Sequence, residues 1–200
     1  MVIKFTYFDG MGRGEVTRML LKIGGQDFVD NRIAIEDWPK IKDQQPFKRL
    51  PVVEIDGVVI AETRAIEQYF AGQFNLLGKN AIESALIMQF VLALDDVEYN
   101  SKLIFVTKDE EKQKPLYKIF INDHVIPFTK RIPQFLKQNG NGVLVGSSIT
   151  YADIAYYQFL YNYRLRFDIP IDEDLKEYID KVENEPSIKK HLSNRPTYAF

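Results

Sequence analysis

The chain has no cysteine. That excludes disulfides, thiolate metal sites, haem attachment, CxxC redox chemistry and a cysteine nucleophile. Histidine is almost as scarce. His124 and His191 are the only two, far apart and outside any zinc-type spacing. No run of about 18 apolar residues is present to span a bilayer. The start, Met1 to Phe8, lacks the basic residues and long apolar stretch of a signal peptide. No Asn-x-Ser/Thr acceptor occurs. A charge excess is also missing: 26 Lys+Arg against 28 Asp+Glu leave a net −2 over 200 residues. Neutralising phosphates needs a basic excess, so nucleic acid is not an expected partner. The expectation is a soluble cytoplasmic protein without a membrane partner.

What is present is apolar material, 46% of residues, with 13% aromatic, enough for a substantial core. The first 74 residues mix strand and helix signals. Residues 3–8 alternate, with Ile3, Phe5 and Tyr7 on one side and Lys4, Thr6 and Phe8 on the other. Gly10-Met11-Gly12-Arg13-Gly14 reads as a loop. Val16, Met19, Leu20 and Ile23 follow helical spacing until Gly24-Gly25. Residues 28–33 read as a second strand, making a βαβ unit and a parallel pair. Pro51 opens the strand 52–55, Asp56-Gly57 is a hairpin turn, and 58–60 return antiparallel. Thr63 is the expected N-cap of a helix carrying Ile66, Tyr69 and Phe70.

Residues 75–81 read as a linker, and 82–200 as an all-α unit. Leu86, Phe90, Ala93, Leu94 and Val97 form one stripe. A helix is expected over 116–138, bent near Pro127. After a Gly-rich break at 140–146, Thr150-Tyr151-Ala152-Asp153 reads as a capping box for a helix carrying Ala155, Phe159 and Tyr163. A last helix near 172–185 is expected to end before Pro186. The fold class is therefore α/β followed by all-α.

Few chemistries fit. Gly10-x-Gly12-x-Gly14 before a helix, with Asp30 near the ribose distance, suggests a dinucleotide loop. However, Glu15 stands where the third glycine belongs, and four strands are too few for the two-halved dinucleotide fold. The run reads instead as a turn feeding a helix. Asp95-Asp96 with Glu98 reads as a solvated or interface-facing helix edge rather than a cation site. No nucleophile turn with a positioned histidine is visible. Tyr7, at the end of the first strand near Arg13, reads two ways. It is either a half-buried aromatic cap of the sheet or a phenol donor to an anion whose pKa it lowers.

These residues with their neighbours resemble the cytosolic glutathione S-transferases, most closely the sigma class. The resemblance rests on Thr6-Tyr7-Phe8, Gly12-Arg13-Gly14-Glu15, Arg32-Ile33, Glu36-Asp37-Trp38-Pro39, Pro46-Phe47, the segment 50–57, Ala65-Ile66-Glu67-Gln68-Tyr69 and Tyr151-Ala152-Asp153. It implies a thioredoxin-like N-terminal domain, an all-α C-terminal domain and a dimer with one glutathione site per subunit. Tyr7 matches the tyrosine that stabilises the glutathione thiolate, and Arg13 an arginine beside it. Trp38 and Lys42 match residues that hold the glycine end, with Lys48 and Arg49 in the neighbouring segment. Leu50 matches the residue whose backbone pairs with the cysteinyl part, and Pro51 the family's cis-proline. Glu62 and Thr63 match the pair gripping the γ-glutamyl end. Asp96 matches an aspartate that reaches across the dimer.

Three positions depart from the sigma pattern: Lys48 for a glycine, Glu62 for a glutamine, and Leu92 for an aspartate that helps bind a divalent ion in some relatives. No metal is therefore expected. The resemblance implies conjugation of glutathione, as co-substrate, to small-molecule electrophiles, with detoxification as the broad role. Prostaglandin isomerisation of the prostaglandin D synthase type, peroxide reduction, and a non-catalytic ligand-binding or structural role remain as alternatives. The second-substrate pocket is expected between the domains, lined by Met11, Arg13, Tyr99, Tyr156, Phe159, Tyr163 and Phe200.

Overall fold

The computed structural model of the chain describes residues 1–167 and 172–196. Strand β1 (Ile3–Phe8), helix α1 (Glu15–Ile23) and strand β2 (Val29–Ile33) form the βαβ unit, with β1 and β2 parallel and Tyr7 opposite Arg32. Strands β3 (Val52–Ile55) and β4 (Val58–Ala61) form a hairpin whose turn residues, Asp56 and Gly57, both have positive φ (47° and 86°). That conformation matches the twist of the flanking strands. β3 pairs antiparallel with β1, giving the sheet order β2-β1-β3-β4. Ile3 and Phe5 alternate inward and pack in one core with Met19 and Leu20 of α1 and with Ile66 and Phe70 of helix α3 (Thr63–Gln73). A short helix α2 (Trp38–Ile41) lies in the crossing from β2 to β3.

The cap of α3 lies one residue earlier than expected. The Glu62 carbonyl accepts the first helical bond from the Ile66 N–H, so Glu62 is the N-cap and Thr63 the first helical residue. Helix α4 (Ala81–Tyr99) starts at Asn80, whose Oδ1 accepts from the N–H groups of Ile82 and Glu83 at 3.0 Å. This is a cap of the ordinary Asn type. Its buried stripe is Ile87, Phe90, Val91, Leu94 and Val97; Leu86 falls outside it and is exposed.

The single bent helix expected over 116–138 is a series of segments. After α5 (Lys102–Val106), helix α6 (Glu110–Phe120) widens into a π-turn (Ile121–Val125), then α7 (Ile126–Thr129), and α8 (Ile132–Asn139) follows a break. Pro127 has no N–H to give and crowds the preceding turn. The wider turn just before it lets the chain restart with Pro127 in the first turn of α7. Helix α9 (Tyr151–Phe167) crosses the centre of the helical unit and packs on α1 and α4. Asp153 is fully buried at its start and accepts from the Thr150 N–H, the Thr150 hydroxyl and the Leu144 N–H, each at 2.8 Å. The carboxylate thus caps α9 and ties down the glycine-rich loop before it.

The end of the chain also differs from expectation. Helix α10 (Lys176–Glu183) is followed by another, α11 (Pro186–Asn194). α10 ends before Pro186 as expected, but it is not the last helix: Pro186 opens the next one, with the Glu185 carboxylate accepting from the Ile188 N–H at 2.7 Å. Proline suits the first helical position because that N–H has no helical partner. α11 packs on α1. Among the described residues, no helix is long and apolar enough to cross a membrane.

Candidate functional site

Tyr7 stands at the C-terminal end of β1, with the glycine loop folded over it. Its hydroxyl oxygen accepts a hydrogen bond from the Arg13 backbone N–H at 3.0 Å. A Cβ on Gly12 would fall 2.6 Å from that hydroxyl oxygen, and one on Gly14 2.6 Å from the ring Cδ1. The glycines are there because the backbone passes against the ring. Burial pushes the phenol above its ordinary value, outweighing the Arg13 N–H and the Arg13 and Arg18 charges, which pull it down. Tyr7 therefore keeps its proton at neutral pH. With one lone pair engaged by Arg13, the O–H is left to donate.

The hydroxyl borders a cavity of about 650 Å³ between the sheet domain and helices α4, α5, α6 and α9. Tyr7, Met11, Arg13, Trp38, Tyr99 and Tyr163 of the expected residues all line it. Trp38 meets Phe8 edge-on at 5.6 Å, which anchors α2 against the strand end. Tyr156 and Phe159 do not line this cavity. Both are buried in the helical core, Tyr156 against Phe90 and Phe128, and Phe159 against Phe128 and Tyr163. An aromatic stripe on a central helix has more core than cavity to fill. Phe200 lies outside the described residues.

The other expected glutathione contacts lie off the cavity wall. Lys42, Lys48 and Arg49 are exposed in the segment between α2 and β3, and Lys48 (φ 52°) pairs with Asp43 at 2.7 Å. The Leu50–Pro51 peptide is cis. Glu62 is exposed at the α3 N-cap, next to buried Thr63, which borders a small recess shared with Gly12 and Arg13. Asp96 is exposed on α4.

Two ionic networks join the domains around this site. In the first, Asp95 accepts from the Arg64 Nε and Nη2 at 2.9–3.1 Å, and Arg64 Nη1 reaches Glu67 at 2.6 Å. Glu67 is fully buried and also accepts from the Tyr151 hydroxyl. Glu98 stands 3.8 Å from Arg64 and 3.9 Å from Arg13. Of the acidic run expected to be a solvated or interface-facing edge, only Asp96 is exposed; Asp95 and Glu98 face guanidinium groups. In the second network, Glu15 at the start of α1 is fully buried and meets His191 at 2.7 Å, Arg18 at 3.2 Å and Arg195 at 3.3 Å. Burial pushes the Glu15 carboxyl up, but the His191 hydrogen bond and the His191, Arg18 and Arg195 charges outweigh it and hold it at about 2. Asp30 pairs with Arg18 and Arg32.

The cavity is also lined by Lys102, Tyr117, Phe120 and Asn162, which the sequence does not mark, and by Glu98, which reads there only as part of the acidic helix edge. For Glu98 the signal was its position, three residues after Asp95 on the same helix face.

A four-stranded mixed sheet bearing a tyrosine under a glycine loop, joined to a helical domain across a large cavity, defines a two-domain protein of thioredoxin-like plus all-α type. The chain belongs to the glutathione S-transferase family. Residues 3–72 match the profile described as glutathione S-transferase, N-terminal domain, and residues 95–195 that described as the C-terminal domain. Probable glutathione S-transferase 7 of Caenorhabditis elegans is 35% identical over 203 residues, covering 98% of each chain. Among solved structures, a prostaglandin synthase D of Nilaparvata lugens superposes with a TM-score of 0.91 at 31% identity, over 99% of this chain and 100% of that one. A Nu-class glutathione S-transferase from Haemonchus contortus gives 0.86 at 32% identity, over 100% and 99%. Glutathione is the family's co-substrate.

Proposed function

We propose that the protein is a tyrosine-type, sigma-like glutathione transferase that joins glutathione to small hydrophobic electrophiles. The observation that carries this reading is the Tyr7 hydroxyl, protonated and held by the Arg13 N–H at the edge of the cavity. A thiol with an ordinary pKa of about 8.5 is mostly protonated at neutral pH. A hydrogen bond from Tyr7 to the sulfur favours the thiolate, which then attacks the electrophile, with the thiol proton going to solvent. Holding both reactants in one cavity supplies the remainder of the rate.

In this reading Arg13 assists at the sulfur. Trp38, Lys42, Lys48 and Arg49 serve the glycine end, the Leu50–Pro51 backbone the cysteinyl part, and Glu62 and Thr63 the γ-glutamyl end. Asp96 reaches the peptide bound to the partner in a homodimer. Its exposure on α4 suits a contact with a second copy. Met11, Tyr99 and Tyr163 form part of the electrophile wall. The residue pattern supports a sigma-like class, while the Haemonchus contortus structure, at 32% identity, adds a Nu-class relative. A cytoplasmic, detoxifying role with no metal completes the reading.

A second reading, glutathione-dependent prostaglandin isomerisation, is favoured by the Nilaparvata lugens likeness. Turnover of wild type and Tyr7→Phe on a chromogenic electrophile panel and a prostaglandin endoperoxide, after retention on immobilised glutathione, tests both. Retention without turnover points to a ligand-binding protein. Full turnover by Tyr7→Phe defeats the role given to the phenol.

A further inference from the structure

Glu98 lines the cavity beside Tyr7, Met11 and Arg13. Its Oε2 is buried and has no hydrogen-bond partner, although Arg13 Nε lies 3.9 Å away and Arg64 Nη2 3.8 Å away. Arg64 is already engaged, by Asp95 through two nitrogens and by Glu67 through the third. Arg13 is therefore the cation at the cavity wall that Glu98 offsets. Two more charged residues line the wall: Asp9, which pairs with Arg32 at 3.3 Å, and Lys102, whose Nζ sits over the Tyr99 ring at 5.8 Å.

The geometry points to Glu98 as the residue that sets the electrophile class, turning away molecules that carry a carboxylate and admitting uncharged apolar ones. This inference rests on the glutathione chemistry proposed above. An acidic electrophile brought to a sulfur at Tyr7 meets the thiolate and the Glu98 carboxyl, whose pKa burial raises while the Arg64 and Arg13 charges pull it down towards the ionised form. The guanidinium that would receive it, Arg13, already faces a carboxylate. Like charges a few ångströms apart in a partly desolvated cavity repel strongly, and such an unfavourable contact discriminates as effectively as a favourable one. Ile35, Ile104, Val106 and Phe120 give the wall apolar surface that suits an uncharged body.

The test uses a matched pair, an α,β-unsaturated carbonyl acid and its methyl ester, with glutathione and the full chain. Each kcat/KM is divided by the uncatalysed rate constant of that compound. Wild type is expected to prefer the ester about tenfold or more, and Glu98→Gln to bring the ratio near unity. Glu98→Met, apolar and of similar length, is expected to do the same and serves if Glu98→Gln fails to fold. A wild-type ratio near unity, or a ratio unchanged in variants that still turn over the ester, overturns the inference and leaves the transferase reading standing. No turnover of either compound by wild type overturns both.

Discussion

Glu15, the first residue of α1, and His191, in α11, share a 2.7 Å contact although 176 positions separate them. The carboxylate is fully buried, and Arg18 and Arg195 complete its surroundings. Removing one member of a buried charged set leaves the others uncompensated, a larger loss than the set's own net worth.

Glu15 makes stability fall in acid. Its folded value of about 2 lies below the ordinary 4.5. A depressed carboxyl contributes stability that is complete above the unfolded value and is lost as pH falls through the folded one. The contribution is on the order of 3 kcal/mol and disappears between about pH 4.5 and pH 2. Urea midpoints against pH are expected to show a shallower acid limb for Glu15→Gln than for wild type, with lower stability at neutral pH.

Gly12→Ala is expected to damage the site more than the fold. The new Cβ falls 2.6 Å from the Tyr7 hydroxyl at a φ of +38°. Strain of roughly 1–2 kcal/mol comes from the left-handed backbone alone, and relief moves either the loop or the ring. Thiolate absorbance of bound glutathione against pH is expected to show a raised thiol pKa, with turnover at least about tenfold lower and the circular dichroism spectrum preserved.

Tyr151→Phe isolates one hydrogen bond of the other network. Glu67 keeps Arg64 but loses the phenol donor, while its Oε1 already has no hydrogen-bond partner. A loss of about 1–3 kcal/mol is expected by urea unfolding, because a buried acceptor loses its donor. No loss would show that the phenol adds nothing to what Arg64 supplies.

Asp153→Ala removes acceptors for two backbone N–H groups and a hydroxyl at once. The expected destabilisation is about 3 kcal/mol or more, since the donors stay buried without partners. Asp153→Asn keeps one acceptor oxygen and is expected to fall between. Thermal midpoints of the three proteins rank them.

The sheet was legible in the residues because its signals are local. Alternation over 3–8, the Asp56-Gly57 turn and Gly24-Gly25 each constrain their own neighbours. Pro186 was half readable: a helix does end before it, but the same residue opens α11, which only packing on α1 reveals. The segments around Pro127 were hidden because nothing in the spacing marks a π-turn. In the site, Tyr7 and Arg13 were readable from their place between a strand end and a helix start. Glu98 was not, because Arg13 and Arg64, which give it meaning, arrive from distant parts of the chain. Tyr156 and Phe159 carried no mark telling core from cavity.

The Glu15 cluster bears on the order in which the protein matures during synthesis. His191 and Arg195 leave the ribosome long after Glu15 and Arg18. Until they emerge, the nascent first domain holds an acidic group with two of its three basic neighbours still inside the exit tunnel. That domain therefore reaches its final stability only once residues 191 and 195 have emerged, and a chain stalled before residue 191 is expected to expose α1 to proteases.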